Sequence, residues 1–489
     1  MLNSRLTYSV NIVERFVKYN RVYKVVAAKN EIDMSTGSLP KLIIRFVIPQ
    51  MLSGMLQLLY NAADTIVVGR YVGSTALAAV GSTGSLTNLI INLFVGLSVG
   101  ASVAVAQYYG AKDYKNVSQT VHTAMGISII FGVIASIIGI SMAEIFLRYM
   151  GTPEEVLPYS AIYMRIYFAG MPASMVFNFG SSILRAVGDT KRPFIFLSIS
   201  GLLNVILNLV FVLDFNMGVA GVAFSTIIAQ FLSAVLVVLS LLKSEGSYRL
   251  IIREIRIYKD KLLKMMRIGI PAGLQGSIFS ISNVLIQSSV NSFGELAMAG
   301  NTAAANIDGL IYIACNSFYH ASLSFTGQNV GAKKYGRINR ILGICVTYAI
   351  IIGSILGVLS YVFGETLLGF FSPDNAEVIK YGMIRLSIMG LTYFLCGVME
   401  TLVGSLRGMG ASILPMLISV MGVVGIRVGW VYTFFAWNRT LRMLYISYPA
   451  SWIVTSVAHF ICFIIVKKNL VAKAKLNPEP DREPEHYVV

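Results

Sequence analysis

The chain has 489 residues, of which 56% are hydrophobic and only 13% charged, and its mean hydropathy is +0.71. Soluble domains carry about 25% charged residues, so the composition excludes a water-soluble enzyme of this length. The net charge of +16 would suit a nucleic-acid partner, but the placement of the basic residues argues against one.

A membrane span needs about 20 mostly apolar residues. Twelve segments qualify, at 42–69, 77–105, 120–144, 157–184, 192–213, 218–242, 268–293, 300–326, 341–364, 378–405, 413–436 and 445–466. Ahead of them, residues 1–41 form an expected cytoplasmic extension, too charged at its start for an apolar signal core. In the first span Gln57, Tyr60, Asn61 and Asp64 fall at i, i+3, i+4 and i+7, which puts them on one helix face. Asp64 lies 19 residues beyond Arg45, roughly 28 Å of helix, in the outer half of the bilayer. There it lines a polar cavity or meets the outer interface, and the polar stripe favours the cavity. The second span closes on "QYYGAKDY" (107–114), where Gly110 is expected to end the helix, Lys112 to sit by its C-terminus and Tyr114 to mark the interface. Pro172 is expected to kink or break the fourth span. The fifth carries Asn204 and Asn208 one turn apart, and the sixth carries Thr226, all near the level of Asp64. Such residues either glue helices together or line a site.

After the sixth span the basic run "REIRIYKDKLLKMMR" (253–267) reads as part of a cytoplasmic linker, 246–267, lying on anionic headgroups. The second set of spans follows over 268–466 and the tail over 467–489. This set holds Asp308, Glu400 and Arg427. Ionisable groups in hydrocarbon are costly and are functional candidates by default. Glu400 and Arg427, on adjacent spans, are expected to pair, either as a structural ion pair or as a second cation site; Asp308, near the start of its span, is a further candidate or interfacial. The cysteines (Cys315, Cys345, Cys396, Cys462) stand singly in apolar runs, without metal or disulfide spacing.

Three phrases occur twice. "QYYGAKDY" returns as "QNVGAKKY" (328–335) at an offset of 221; "LRAVGDTKRP" (184–193) as "LRGMGASILP" (406–415) and "IPQMLSG" (48–54) as "IPAGLQG" (270–276), both at 222. Ordered echoes at offsets within one residue of each other mark a duplication. The expected fold is therefore all-α and integral to the membrane, with twelve transmembrane helices in two six-helix bundles, 42–245 and 268–466. Six spans per half return the chain to its starting side, so a parallel pseudo-two-fold repeat relates the halves. With the N-terminus inside, 31 of the 39 Lys and Arg fall in inside segments. That positive-inside pattern accounts for the charge without nucleic acid and puts both termini in the cytoplasm.

The chain resembles the multidrug and toxic compound extrusion (MATE) transporters, from about Met34 to Lys468. The resemblance rests mainly on "FVIPQMLSGMLQLLYNAADTIVVGRYVG" (46–73), with the Q-x-x-G-A-K phrase and "LRAVGDTKRP". Residues 1–33 precede the usual family start, and a chain starting at Met34 is expected to fold. The resemblance implies a bacterial cytoplasmic-membrane antiporter that exports amphiphilic, often cationic compounds. Its two bundles would rock between inward- and outward-open states, driven by Na⁺ or H⁺ influx, with a lipid-linked-precursor flippase of the same superfamily as the alternative. It further implies that Tyr60, Asp64, Tyr163, Asn178, Asn204 and Thr226 form the cation-responsive cluster, with Na⁺ held at Asp64, Asn178 and Asn204. Asn208 departs from the many relatives with Asp there. Partners would be small molecules and the bilayer, with the chain a monomer. No cofactor beyond the coupling ion is expected and, without a G-x-x-x-x-G-K-[ST] loop, no ATP. Four scattered histidines offer no catalytic set.

Overall fold

The computed structural model describes residues 32–371 and 375–476; the expectations for residues 1–31 and for the tail from 477 lie outside it. Two compact units divide after Ser277. The first holds α1 (Leu39–Val67), α2 (Ser74–Gly110), α3 (Tyr114–Tyr149), α4 (Leu157–Ala169), α5 (Met171–Ala186), α6 (Lys191–Leu209), α7 (Gly218–Leu242) and the start of α8 (Lys259–Asn291). The second continues with α9 (Glu295–Gly331), α10 (Tyr335–Val362), α11 (Gly364–Gly369), α12 (Ala376–Arg385), α13 (Leu391–Gly408), α14 (Ile413–Ser419), α15 (Ile426–Trp430) and α16 (Leu441–Leu476).

Ten helices among the described residues are long and apolar enough to cross a membrane, and each matches an expected span. The two other expected spans are helical for particular reasons of their own. The fourth is broken at Gly170 into α4 and α5, of 13 and 16 residues, with Pro172 in the first turn of α5. There a missing N–H costs nothing, because first-turn donors have no helical partner anyway. The eighth, α9, is 37 residues long, but Asn301, Asn306, Asp308 and His320 dilute its hydropathy.

The duplicated phrases fold alike. α2 and α9 each begin after a glycine of positive φ, Gly73 (114°) and Gly294 (91°). Each then ends on its phrase's glycine, Gly110 and Gly331, as the sequence suggests. The left-handed residue is the lysine two places on, with φ of 56° at both Lys112 and Lys333. Asp113 N–H donates to the Tyr108 carbonyl and Lys112 N–H to that of Tyr109, both at 3.0 Å. Lys334 to Asn329 and Lys333 to Val330 repeat the pattern at 2.8 and 3.1 Å. This paired arrangement satisfies carbonyls that a helix C-terminus leaves open.

Between helices in lipid the hydrophobic effect supplies little, and close approach of small residues takes its place. α2 and the first half of α8 show this: a Cβ at Gly96 would land on the Gly273 backbone, and one at Gly100 on the Met265 carbonyl. That contact ties the start of α8 to the first unit. In the second unit a Cβ at Gly357 would strike the Gly390 carbonyl and one at Gly404 that of Tyr319. Larger side chains fill the rest, with Met164, Phe168, Met175 and Phe179 at the heart of the first unit. Tyr445 and Trp452 do the same in the second. All four cysteines are free and buried.

Candidate functional site

Asp64 stands near the end of α1, just before the helix widens into a π turn at Val68–Val72. α6 does the same beyond Asn208, with a π turn at Val210–Asp214. Within the first unit α1 and α6 pack side by side, and the ring of Tyr60 occupies the space that a side chain at residue 201 would fill. Only a glycine leaves that room. The Tyr60 hydroxyl donates to the Ser198 carbonyl at 3.3 Å, which sets the rotation of α1 so that Asp64, one turn further on, faces α6.

The carboxylate of Asp64 is then received by neutral donors. Asn208 Nδ2 donates to Oδ1 at 2.5 Å, and Thr226 Oγ1, from α7, donates to Oδ2 at 3.4 Å. Asn204 Nδ2 donates in turn to Thr226 Oγ1 at 3.5 Å, and Asn208 Nδ2 also reaches Asn204 Oδ1 at 3.5 Å. Asp64 is 9% exposed, Asn204 4% and Asn208 not at all. Among the described residues no lysine or arginine pairs with Asp64, and the Asn208 carbonyl oxygen has no hydrogen-bond donor. Tyr163 is buried beside this network with Val67, Val68 and Val222, and its ring lies 6.2 Å from that of Tyr167. Sequence reasoning thus brought together the residues that meet here: Tyr60, Asp64, Tyr163, Asn204, Asn208 and Thr226.

Two expected members stand apart. Asn178 Nδ2 donates to the Ser174 carbonyl of its own helix at 2.9 Å, and among the described residues no hydrogen bond joins Asn178 to Asp64 or Asn204. Asn61 is exposed, as is Gln57, while Asp64 turns inward; a shared helix face a hundred degrees wide includes both buried and open positions. Oxygen ligands suit a hard cation, and the Asp64 carboxylate, Asn204, Asn208 and Thr226 are the oxygens that converge. Among the described residues no group of three or more His, Cys, Asp or Glu could hold a metal.

In the second unit the charges pair differently from the expectation. Asp308 is fully buried, not interfacial, and its Oδ2 accepts from Arg385 Nε at 2.8 Å. Arg385 Nη1 donates to Asn301 Oδ1 at 2.7 Å, and the Tyr445 hydroxyl donates to the same oxygen at 3.0 Å. Arg427 does not pair with Glu400. It donates to Ser451 Oγ at 3.2 Å and lies over the Tyr448 ring, 3.9 Å from its centroid. A guanidinium stacked on an aromatic face gains several tenths to about 2 kcal/mol when desolvated, which replaces the carboxylate as its partner. Glu400 instead feels the charge of Arg407, two turns further along α13. Arg385 was missed, although it lies inside the expected span 378–405 and the rule that singled out Asp308 applies to it equally. His459 is buried as well, with Nε2 2.9 Å from Ser419 Oγ.

The profile of the MatE family matches the chain twice, over residues 49–210 and 271–433. The chain belongs to the MatE family. The two matches start 222 residues apart, the offset of the echoed phrases. MATE proteins are multi-pass membrane transporters. Over 418 residues, 84% of this chain and 90% of the relative, the chain is 28% identical to the "Probable multidrug resistance protein YoeA" of Bacillus subtilis (strain 168). It is 24% identical over 391 residues to the "Probable multidrug resistance protein NorM" of Thermotoga maritima, spanning 78% of this chain and 83% of that one. Its fold superposes on the outward-facing structure of a multidrug resistance MATE family transporter of the MOP superfamily. The TM-score is 0.85 at 24% identity, over 91% of this chain and 99% of the other.

Proposed function

We propose that this MATE family member is a secondary exporter of amphiphilic, often cationic organic compounds, acting as a monomer in the bacterial cytoplasmic membrane with both termini inside. Influx of H⁺ or Na⁺ drives it without ATP, and its two bundles rock to give alternating access. The observation that carries the reading is Asp64, a buried carboxylate held only by an amide and a hydroxyl, without a cationic partner among the described residues. An isolated charge in such surroundings is unfavourable by several kcal/mol, and a captured proton or sodium ion removes that penalty. The Asn208 carbonyl oxygen, without a donor among the described residues, offers an acceptor for a protonated Asp64 or a ligand for sodium. A neutralised Asp64 therefore favours the closed, dry arrangement of α1, α6 and α7, and an ionised one favours opening to water. A ligand that binds one of two states better shifts the equilibrium toward it, so ion entry and substrate exit are linked through this residue.

The test is Asp64→Asn in reconstituted vesicles with an imposed pH or sodium gradient. The variant keeps the size of the side chain and loses the charge. We expect normal folding and substrate binding with uphill transport abolished. Well-folded Asp64→Asn protein that pumps at the wild-type rate refutes the assignment and moves it to Glu400.

A further inference from the structure

The second unit carries an apolar groove between α10, α13 and α16 that the transport reading does not use. Its volume is about 880 Å³, toward the upper end for sites that take small organic molecules. Leu342 and Val346 on α10, Val398 and Leu402 on α13, and Phe460 and Ile464 on α16 form the walls. The only charged residues in the lining stand together at one end, Lys467 and Lys468, with Asn339 opposite. Lys467 Nζ donates to Asn339 Oδ1 at 2.7 Å, which holds the ammonium at the mouth. Deep in the groove lies Ser456, whose hydroxyl has no hydrogen-bond partner among the described residues.

The charge and length of the groove select an occupant. From Val457 to Lys467 is ten residues of helix, roughly 15 Å, which equals one leaflet of a ~30 Å hydrocarbon core. The apolar part thus runs to about mid-bilayer, and the lysines sit at headgroup level on the side the basic residues mark as cytoplasmic. A substrate cation would be repelled at that mouth, whereas a phosphodiester is attracted by two ammonium groups and an amide. Basic pockets between helices on the cytoplasmic side are suited to anionic headgroups.

We propose that this groove is a binding site for one anionic phospholipid of the cytoplasmic leaflet, with its phosphate at Lys467 and Lys468 and an acyl chain along α10 and α16. The site is independent of Asp64 and of what is exported. Gly343, on the α10 wall, provides a probe of the chain-binding half, because a Cβ there meets nothing within 4 Å. A leucine at this position starts from open space and takes up room in the groove.

The experiment is native mass spectrometry of the full-length protein in mild detergent, titrated with dioleoyl phosphatidylglycerol or with dioleoyl phosphatidylcholine of the same chains. Phosphatidylglycerol should bind at least about tenfold more tightly, as expected for two lysines near a membrane surface. The double variant Lys467→Gln/Lys468→Gln should erase that preference while retaining phosphatidylcholine binding. Gly343→Leu should weaken both lipids, and melting temperature checks its fold; if it unfolds, the lysine pair, at the exposed mouth, carries the test alone. Wild-type lipid preference in the lysine variant overturns the proposal. So does displacement of the lipid by inorganic phosphate, by a cationic dye, or by the chain's own residues 477–489, the last seen as lipid binding that requires their removal.

Discussion

The Asp308–Arg385 pair is the interaction whose loss the structure puts a magnitude on. At 2.8 Å and an effective dielectric constant of about 20, two unit charges attract by roughly 6 kcal/mol before desolvation is counted. Arg385→Met leaves Asp308, whose Oδ1 already lacks a donor, as an uncompensated buried charge. Asp308→Asn leaves the guanidinium without a counter-charge among the described residues, with neutral amide oxygens and the Tyr445 ring, 5.8 Å away, around it. Either single change should destabilise by about 3–5 kcal/mol. The double variant removes both charges and should lose less than the larger single, giving a coupling of at least about 2 kcal/mol. The assay is thermal unfolding of the full-length protein in detergent, where about 3 kcal/mol amounts to roughly 6–12 °C for a cooperative unit of about 200 residues. If the loss in the double variant equals the sum of the two singles, the groups do not compensate each other and the argument fails.

The same cycle on Glu400→Gln and Arg427→Met should be additive within about 0.5 kcal/mol, because Arg427 bonds Ser451 and the Tyr448 ring instead; a coupling above 1 kcal/mol would restore the ion pair. Gly201→Ala should force the Tyr60 ring out of its seat on α6, lowering stability by about 1–3 kcal/mol and reducing vesicle transport. An unchanged melting temperature with unchanged transport would show that the seat does not matter. Among the described contacts, a chain starting at Met34 loses the packing of Ile32 against Gly188 and the Asp33 carboxylate to which Ser35 and Thr36 donate. It should insert and transport normally, and protein that reaches the membrane at wild-type level yet does not transport is the contrary result.

Features written in the spacing of residues were legible, and features that depend on helix rotation were not. Apolar run length identified the ten spanning helices, and the echoed phrases identified the repeat, since both are one-dimensional properties. Asn204, Asn208 and Thr226 were found because depth follows from counting residues at 1.5 Å each. Asn178 and Arg427 could not be placed that way. Adjacency of spans says nothing about which face of a helix meets which neighbour, and Arg427 turns to the aromatic rings of α16. The helix ends at Gly110 and Gly331 were legible, but the turn just beyond them was not. A left-handed residue is expected to be glycine, yet in both phrases the turn falls two residues later, on Lys112 and Lys333, where two carbonyl bonds offset the strain.

The burial of all four thiols has a practical consequence. Cys315, Cys345, Cys396 and Cys462 are between 0% and 7% exposed, and a thiol sealed in apolar packing is inert toward aqueous reagents. The native sequence is therefore a silent background for maleimide chemistry, and no cysteine has to be removed before a reporter is introduced. A single engineered cysteine at an exposed position such as Tyr149, in the first unit, or Trp437, in the second, would take a fluorophore or spin label alone, in a protein whose interior has not been repacked.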